Sequence, residues 1–191
     1  MAVRPIVIYG EPVLHQRAAE VEVIDEEIKT LVADMFETMD VANGVGLAAP
    51  QVGVGLRIFT FNFDEHDDDA PHRGVVINPR LTLSKISGAA PDPDEHSEGC
   101  LSAPGLDFPL QRADYARVQG LDVDGNEVDF EARGWFARIM QHEYSHLDGK
   151  LYVDMLDPKW TKRWKKAQKK EGFNTPGQTW MPGVDPDPFG H

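Results

Sequence analysis

The sequence predicts an α+β domain, with short strands in mixed or antiparallel order around a central helix and further helices toward each end. Three observations predict it. Apolar residues recur at helical spacing in three separated stretches, β-branched and aromatic residues crowd short runs between them, and the turn dipeptide Asp124-Gly125 joins two alternating segments.

Taken in order, the first helix covers roughly residues 25–41. Ile24, Ile28, Leu31, Val32, Met35, Phe36 and Met39 share one face, Asp25, Glu26 and Glu27 occupy the first turn at the positive end of the dipole, and Asn43-Gly44 ends it. Glycine density and Pro50 make 44–51 a loop or irregular strand. Residues 56–63 read as a buried strand. Two further short strands, 75–77 and 81–83, flank Asn78-Pro79, and 115–123 with 126–130 form the hairpin around Asp124-Gly125. A second helix runs over 134–147 and stops at Asp148-Gly149, with glycine in the capping place. A third, basic helix spans 158–170, and the Pro- and Gly-rich remainder reads as irregular. The expected organisation is one catalytic domain over 1–172 with a tail over 173–191.

The chain has 191 residues, 41% of them hydrophobic, enough for a packed core and too apolar for wholesale disorder. Its start lacks the apolar length and cleavage site of a secretory signal, and no stretch reaches the ~20 apolar residues of a membrane helix. A cytoplasmic location is expected. The net charge of −13 argues against a nucleic-acid binder as a whole. Acid is concentrated at 64–69 and 92–95, which read as solvated loops. The single cysteine, Cys100, excludes an intrachain disulfide and is an inert buried residue, a nucleophile or a ligand.

His142 and His146 are four apart, so a helix places both imidazoles on one face within reach of one ion. Glu143 borders the same stripe, beside the ion rather than on it. Trp135 and Ile139 extend the stripe with apolar groups, which points it inward. The same three letters also arise by accident on partly buried helices. A catalytic site needs a third protein ligand and an open position. The extension His-x-x-Gly-x-x-His fails, because Gly149 fits but Tyr152 stands where histidine is needed. A downstream glutamate is offered only by Glu171, at the edge of the irregular tail. Cys100, within Glu98-Gly99-Cys100-Leu101-Ser102, is the remaining candidate, and a metal would supply the positive partner a thiolate needs.

Three stretches together carry a family resemblance. Gly44-Val45-Gly46-Leu47-Ala48-Ala49-Pro50-Gln51, Glu98-Gly99-Cys100-Leu101-Ser102 and Gln141-His142-Glu143-Tyr144-Ser145-His146-Leu147-Asp148-Gly149 closely resemble, in order and separation, the three motifs of peptide deformylases of the bacterial, actinobacterial-like kind. The match spans roughly residues 5–156. The resemblance implies that Cys100, His142 and His146 bind one divalent metal, iron(II) in the cell with zinc, nickel or cobalt as replacements, and that water takes the fourth position. It implies that Glu143 is general base and then acid, that the Gln51 amide and the Leu101 N–H serve the developing oxyanion, that Gly46 aligns the substrate backbone, and that Val45, Trp135 and Ile139 line a methionine pocket. The substrate would be the N-formyl-methionine end of a new polypeptide, with no DNA or membrane partner.

One departure stands out: Ser145 occupies a position where many members carry aspartate. Lys162, Arg163, Lys165, Lys166, Lys169 and Lys170 crowd the third helix around Trp160, Trp164 and Ala167. That pattern suits a solvated helix docked by its tryptophans, or a contact with ribosomal RNA. Competing readings are a metalloprotease, which explains neither Cys100 nor Gln51, and a non-catalytic metal-binding module, which would need a fourth ligand such as His96.

Overall fold

The computed structural model describes residues 2–64 and 72–189. Its elements in chain order are β1 (Ile6–Val7), α1 (Glu26–Val41), β2 (Gly46–Ala48), β3 (Ile58–Asn62), β4 (Arg73–Leu83), β5 (Ser97–Gly99), β6 (Asp107–Pro109), β7 (Tyr115–Leu121), β8 (Glu127–Arg133), α2 (Gly134–Leu147), α3 (Pro158–Glu171) and β9 (Thr179–Trp180). The fold is α+β. An antiparallel sheet of order β2-β3-β4-β7-β8 forms its frame, with β5-β6 and β1-β9 as separate two-stranded ladders. Most of the acidic run at 64–69 lies outside the described residues, while residues 92–95 form an exposed turn.

Strand β3 shows why its sequence carries no polar alternation. Ile58 and Thr60 face α1, where the Thr60 hydroxyl reaches Met39 Sδ, while Phe59 and Phe61 join Val76, Val118, Phe136 and Met140 under α2. Successive strand residues point to opposite faces, and both faces here are covered by a helix. Helix α1 begins one residue later than expected. Asp25 is its cap rather than part of its first turn, accepting from the Glu27 and Ile28 N–H groups at 3.0 Å each.

The two short strands expected around Asn78-Pro79 are one continuous strand, β4, with a register shift between Ile77 and Arg80. Pro79 has no N–H to give the ladder, and Asn78 takes the positive φ (51°) that asparagine tolerates. The Asn78 side chain compensates by pairing with both the N–H and the C=O of Val21, at 2.8 and 2.9 Å. The β7–β8 hairpin forms as expected with a wider loop, because the Asp122 carboxylate accepts from the N–H groups of Asp124 and Asn126.

Helix α2 is held at its C-terminal end. Arg57, 2% exposed, donates to the Leu147 carbonyl (3.0 Å) and the Asp148 carboxylate (2.9 Å). Gly149 then turns the chain with φ 72°, and a Cβ there would lie 2.8 Å from the Gln16 backbone. Conformation and space both demand glycine at this position.

The segment after Gly172 is less irregular than its composition suggests. Strand β9 pairs antiparallel with β1, matching Ile6 to Trp180 and Val7 to Thr179. Phe173 and Trp180 are buried in the main core, Phe173 lying against Trp164. Pairing and aromatic burial supply an order that local glycine and proline chemistry does not show. Replacing Trp180 by alanine is expected to lower the unfolding free energy by about 3 kcal/mol, read as a lower denaturant midpoint at unchanged slope.

Candidate active site

Three chain segments meet in one cleft. Helix α2 brings His142, Glu143 and His146. The turn after β5 brings Cys100 and Leu101. The 3-10 turn at Ala49–Val52, directly after β2, brings Gln51. The Cys100 thiol and the two imidazoles offer ligand atoms all within 4.8 Å of one another. Cys100 Sγ is 3.3 Å from His146 Nε2, and the two imidazole centroids are 5.1 Å apart. Sequence spacing brought the histidines together, but only the fold brings in the cysteine.

Glu98 orients the first histidine. Its Oε2 is 2.9 Å from His142 Nδ1, which leaves Nε2 as the free ligand atom. The same carboxylate accepts from Arg112 Nε at 2.7 Å, Arg112 Nη2 at 2.8 Å and Arg138 Nη2 at 3.1 Å, with all three residues buried. Burial alone would raise the Glu98 pKa, but the Arg112 and His142 contacts prevail and bring it down to about 2. Burial also works against charge on His142, yet its bonds to Cys100 and Glu98 prevail and push it up to about 10. His146 goes the other way: burial, and then the neighbouring His142 charge, hold it well below the ordinary histidine value.

A soft thiolate with two imidazoles is a donor set suited to zinc, iron, nickel or cobalt. The raised His142 pKa shows that a positive charge among Cys100, His142 and Glu98 is also what the local field favours. These residues therefore fit a divalent cation. The group is a three-ligand one among the described residues. His96, the candidate fourth ligand, has its Nδ1 taken by the Asp92 N–H at 2.7 Å. Neither protease-type third ligand is available, since Glu171 pairs with Lys170 at the surface and Tyr152, stacked beside His142, donates its hydroxyl to the Leu106 carbonyl.

Glu143 is 4% exposed, its Oε2 has no protein partner among the described residues, and burial raises its pKa to about 7. Gly46 makes room for it: a Cβ there would sit only 2.3 Å from Glu143 Oε1. The Gln51 side chain is fixed at both ends. Its Oε1 accepts from the Ala48 N–H at 2.8 Å, and its Nε2 points at Cys100 Sγ (3.6 Å) and Ser102 Oγ (3.4 Å). Leu101 lines the cleft, and its carbonyl accepts from Trp180 Nε1 at 2.9 Å. Ile139 is a buried wall. Val45 and Trp135 are 44% and 42% exposed, so they stand at the mouth rather than in the inward stripe the helical spacing suggested for Trp135. Arg112 and Arg138 were not legible as site residues. Arg112 comes from a loop far from α2 in sequence, and Arg138 looks like an ordinary polar position on the helix. The cavity has a volume of about 200 Å³, below the roughly 300–1,000 Å³ of pockets that enclose a whole small ligand.

A buried cleft that sets a Cys-His-His cluster beside an unpartnered carboxyl group defines a metal-dependent hydrolase. The family model for polypeptide deformylases matches residues 3–162. Peptide deformylase 2 of Corynebacterium efficiens is 53% identical over 192 residues, covering 100% of this chain and 99% of that protein. The structure of the Ehrlichia chaffeensis peptide deformylase in complex with actinonin superposes with a TM-score of 0.76 at 39% identity, covering 90% of this chain and 99% of that one. The Met-Ala-Ser-bound peptide deformylase of Acinetobacter baumannii gives a TM-score of 0.70 at 33% identity, over 81% of this chain and 99% of that one. The chain belongs to the polypeptide deformylase family and is an enzyme of that kind.

Because the folded pKa of Glu98 lies below its unfolded value, its ionised form stabilises the fold fully above pH 4.5, and that contribution is lost as pH falls toward 2. Glu98→Gln is expected to flatten this acid limb in denaturation curves taken from pH 6 to 3. The same change is expected to weaken metal affinity about ten- to a hundredfold, read by competition with a chelator.

Proposed function

We propose that this chain removes the formyl group from the N-formyl-methionine end of newly made polypeptides, releasing formate, and that Glu143 carries the proton transfers. The observation that carries the reading is the convergence in one cavity of the Cys100–His142–His146 cluster, the Gln51 amide and a carboxyl group with a pKa near 7. A pKa near the working pH lets one group both take and return a proton.

Cys100, His142 and His146 would hold the cation, iron(II) in the cell with zinc, nickel or cobalt able to replace it. When bound, the cation acts as a Lewis acid and brings the pKa of water to roughly 7. Glu143 takes a proton as water adds to the formyl carbon. Gln51 Nε2 and the Leu101 N–H donate to the oxygen on which charge grows, an interaction worth about 3 kcal/mol in comparable oxyanion sites. The Ala48 N–H bond pre-sets the Gln51 amide, so little reorganisation is needed. Glu143 then returns its proton to the amide nitrogen, the C–N bond breaks, and the free amino terminus leaves.

Strand β2 is an edge of the main sheet, so its outer side is free to pair with an extended peptide at Gly46. Ile139, Val45 and Trp135 receive the methionine side chain. That the related enzyme from Acinetobacter baumannii holds Met-Ala-Ser supports a substrate of this length and character.

Among the described residues, no helix is long and apolar enough to cross a membrane. The cytoplasm, where polypeptides are made, is the proposed place of action. Helix α3 buries Trp164 against the core and half-buries Trp160, while Lys162, Lys165, Lys166, Lys169 and Lys170 remain exposed. This one-sided basic surface on an acidic chain is the proposed contact with ribosomal RNA. Changing Lys165, Lys166 and Lys169 to glutamate is expected to abolish co-sedimentation with ribosomes at moderate salt, and unchanged sedimentation would remove the proposal.

The deciding assay is formate release from formyl-Met-Ala-Ser by protein purified without oxygen and loaded with iron(II) or nickel. Glu143→Ala should lose activity by about a hundred- to ten-thousandfold while still binding one metal per chain. Full activity in that variant would displace Glu143 from its role.

A further inference from the structure

The end of the chain reaches the cleft. Beyond β9 it crosses the molecule, with Met181 and Asp185 closing a turn (Met181 N–H to the Asp185 carboxylate, 2.6 Å). The Pro188 backbone lies against Gly105, and Phe189 arrives among the residues that line the active-site cavity. Phe189 is half-buried, packs on Trp180 with ring centroids 6.2 Å apart, and its N–H donates to the Asp187 carboxylate at 2.8 Å. Trp180 is itself fixed by the β1–β9 ladder and by its indole bond to the Leu101 carbonyl. The aromatic ring at the cavity is therefore tied, through Trp180, to Leu101, the residue that follows Cys100 in the cleft.

Its place in the cavity indicates what it meets. Gln51 follows β2 in the chain, whereas Ala42, Asn43 and Gly44 precede its start, and both flanks line the one cavity with Cys100 and His142. A peptide whose formyl group sits at Gln51 and which runs along the free edge of β2 must pass Ala42–Gly44 on its way out. At that end the Leu101 side chain closes on Gly44, so tightly that a Cβ there would come within 3.1 Å of it. Phe189, also a lining residue, is joined to Leu101 through Trp180. Methionine itself is served by Ile139, Val45 and Trp135. What remains for Phe189 is the chain after methionine.

We propose that Phe189 is a specificity-determining residue, an apolar wall that contacts the substrate side chains following formyl-methionine and favours apolar ones. This rests on the deformylase reading above. An aromatic ring offers a large rigid face at little cost in conformational freedom, and one or two methylenes against it are worth a severalfold preference.

The test compares kcat/KM for formyl-Met-Leu-Ser and formyl-Met-Ala-Leu with that for formyl-Met-Ala-Ser, using the full-length metal-loaded enzyme, Phe189→Ala and Phe189→Leu. The parent should favour at least one leucine peptide. That ratio should fall by about five- to tenfold in Phe189→Ala, through KM, and return in Phe189→Leu. A merely structural role would lower all three substrates together and leave the ratios unmoved, and that outcome overturns the proposal. So does a parent enzyme that cleaves all three alike. Formate from none of the three would instead sink the deformylase reading, and this proposal with it.

Discussion

A buried carboxylate holds the site together. Glu98 sits in a three-residue strand, yet its two oxygens engage Arg112 from a following loop, Arg138 from α2 and the imidazole of His142. Removing one partner from such a cluster would leave an uncompensated charge in the interior, at a cost of several kcal/mol. The contacts therefore act as a geometric clamp. They fix how far α2 stands from the turn carrying Cys100, and so whether three ligand atoms can meet around one ion.

The serine at position 145 belongs to this clamp. Its hydroxyl donates to the Gln141 carbonyl at 2.6 Å and accepts from Arg112 Nη1 at 3.1 Å. An aspartate there would set a second carboxylate against Arg112. In this chain Arg112 pairs with Glu98 through two hydrogen bonds of 2.7 and 2.8 Å, and its Nη1 is shared between the Gln141 carbonyl and the Ser145 hydroxyl, which adds no charge. The departure from the more common residue thus leaves no polar group of the pair unpartnered.

Around the clamp, packing divides the labour. One face of the main sheet seats α2 on phenylalanines, the other seats α1, and Arg57 pins the last turn of α2. The tail closes the far side by lending a strand to β1 and an indole to Leu101. Positions that touch no reacting atom still set the position of those that do, because a rigid interior transmits small displacements.

Sequence alone determined the local chemistry. Periodicity gave the three helices to within a residue or two, the Asp124-Gly125 signal gave the hairpin, and the four-residue spacing of His142 and His146 gave two imidazoles on one face. Composition could not foresee that Pro79 interrupts one strand rather than separating two, because the compensating partner, Val21, is distant in the chain. Nor could it foresee β9, whose order comes from pairing with β1. Tertiary structure alone decided that Glu98 holds His142, that Arg112 and Arg138 share its charge, and that Phe189 reaches the cleft. Each depends on groups far apart in sequence and brought together by burial, which no local pattern encodes.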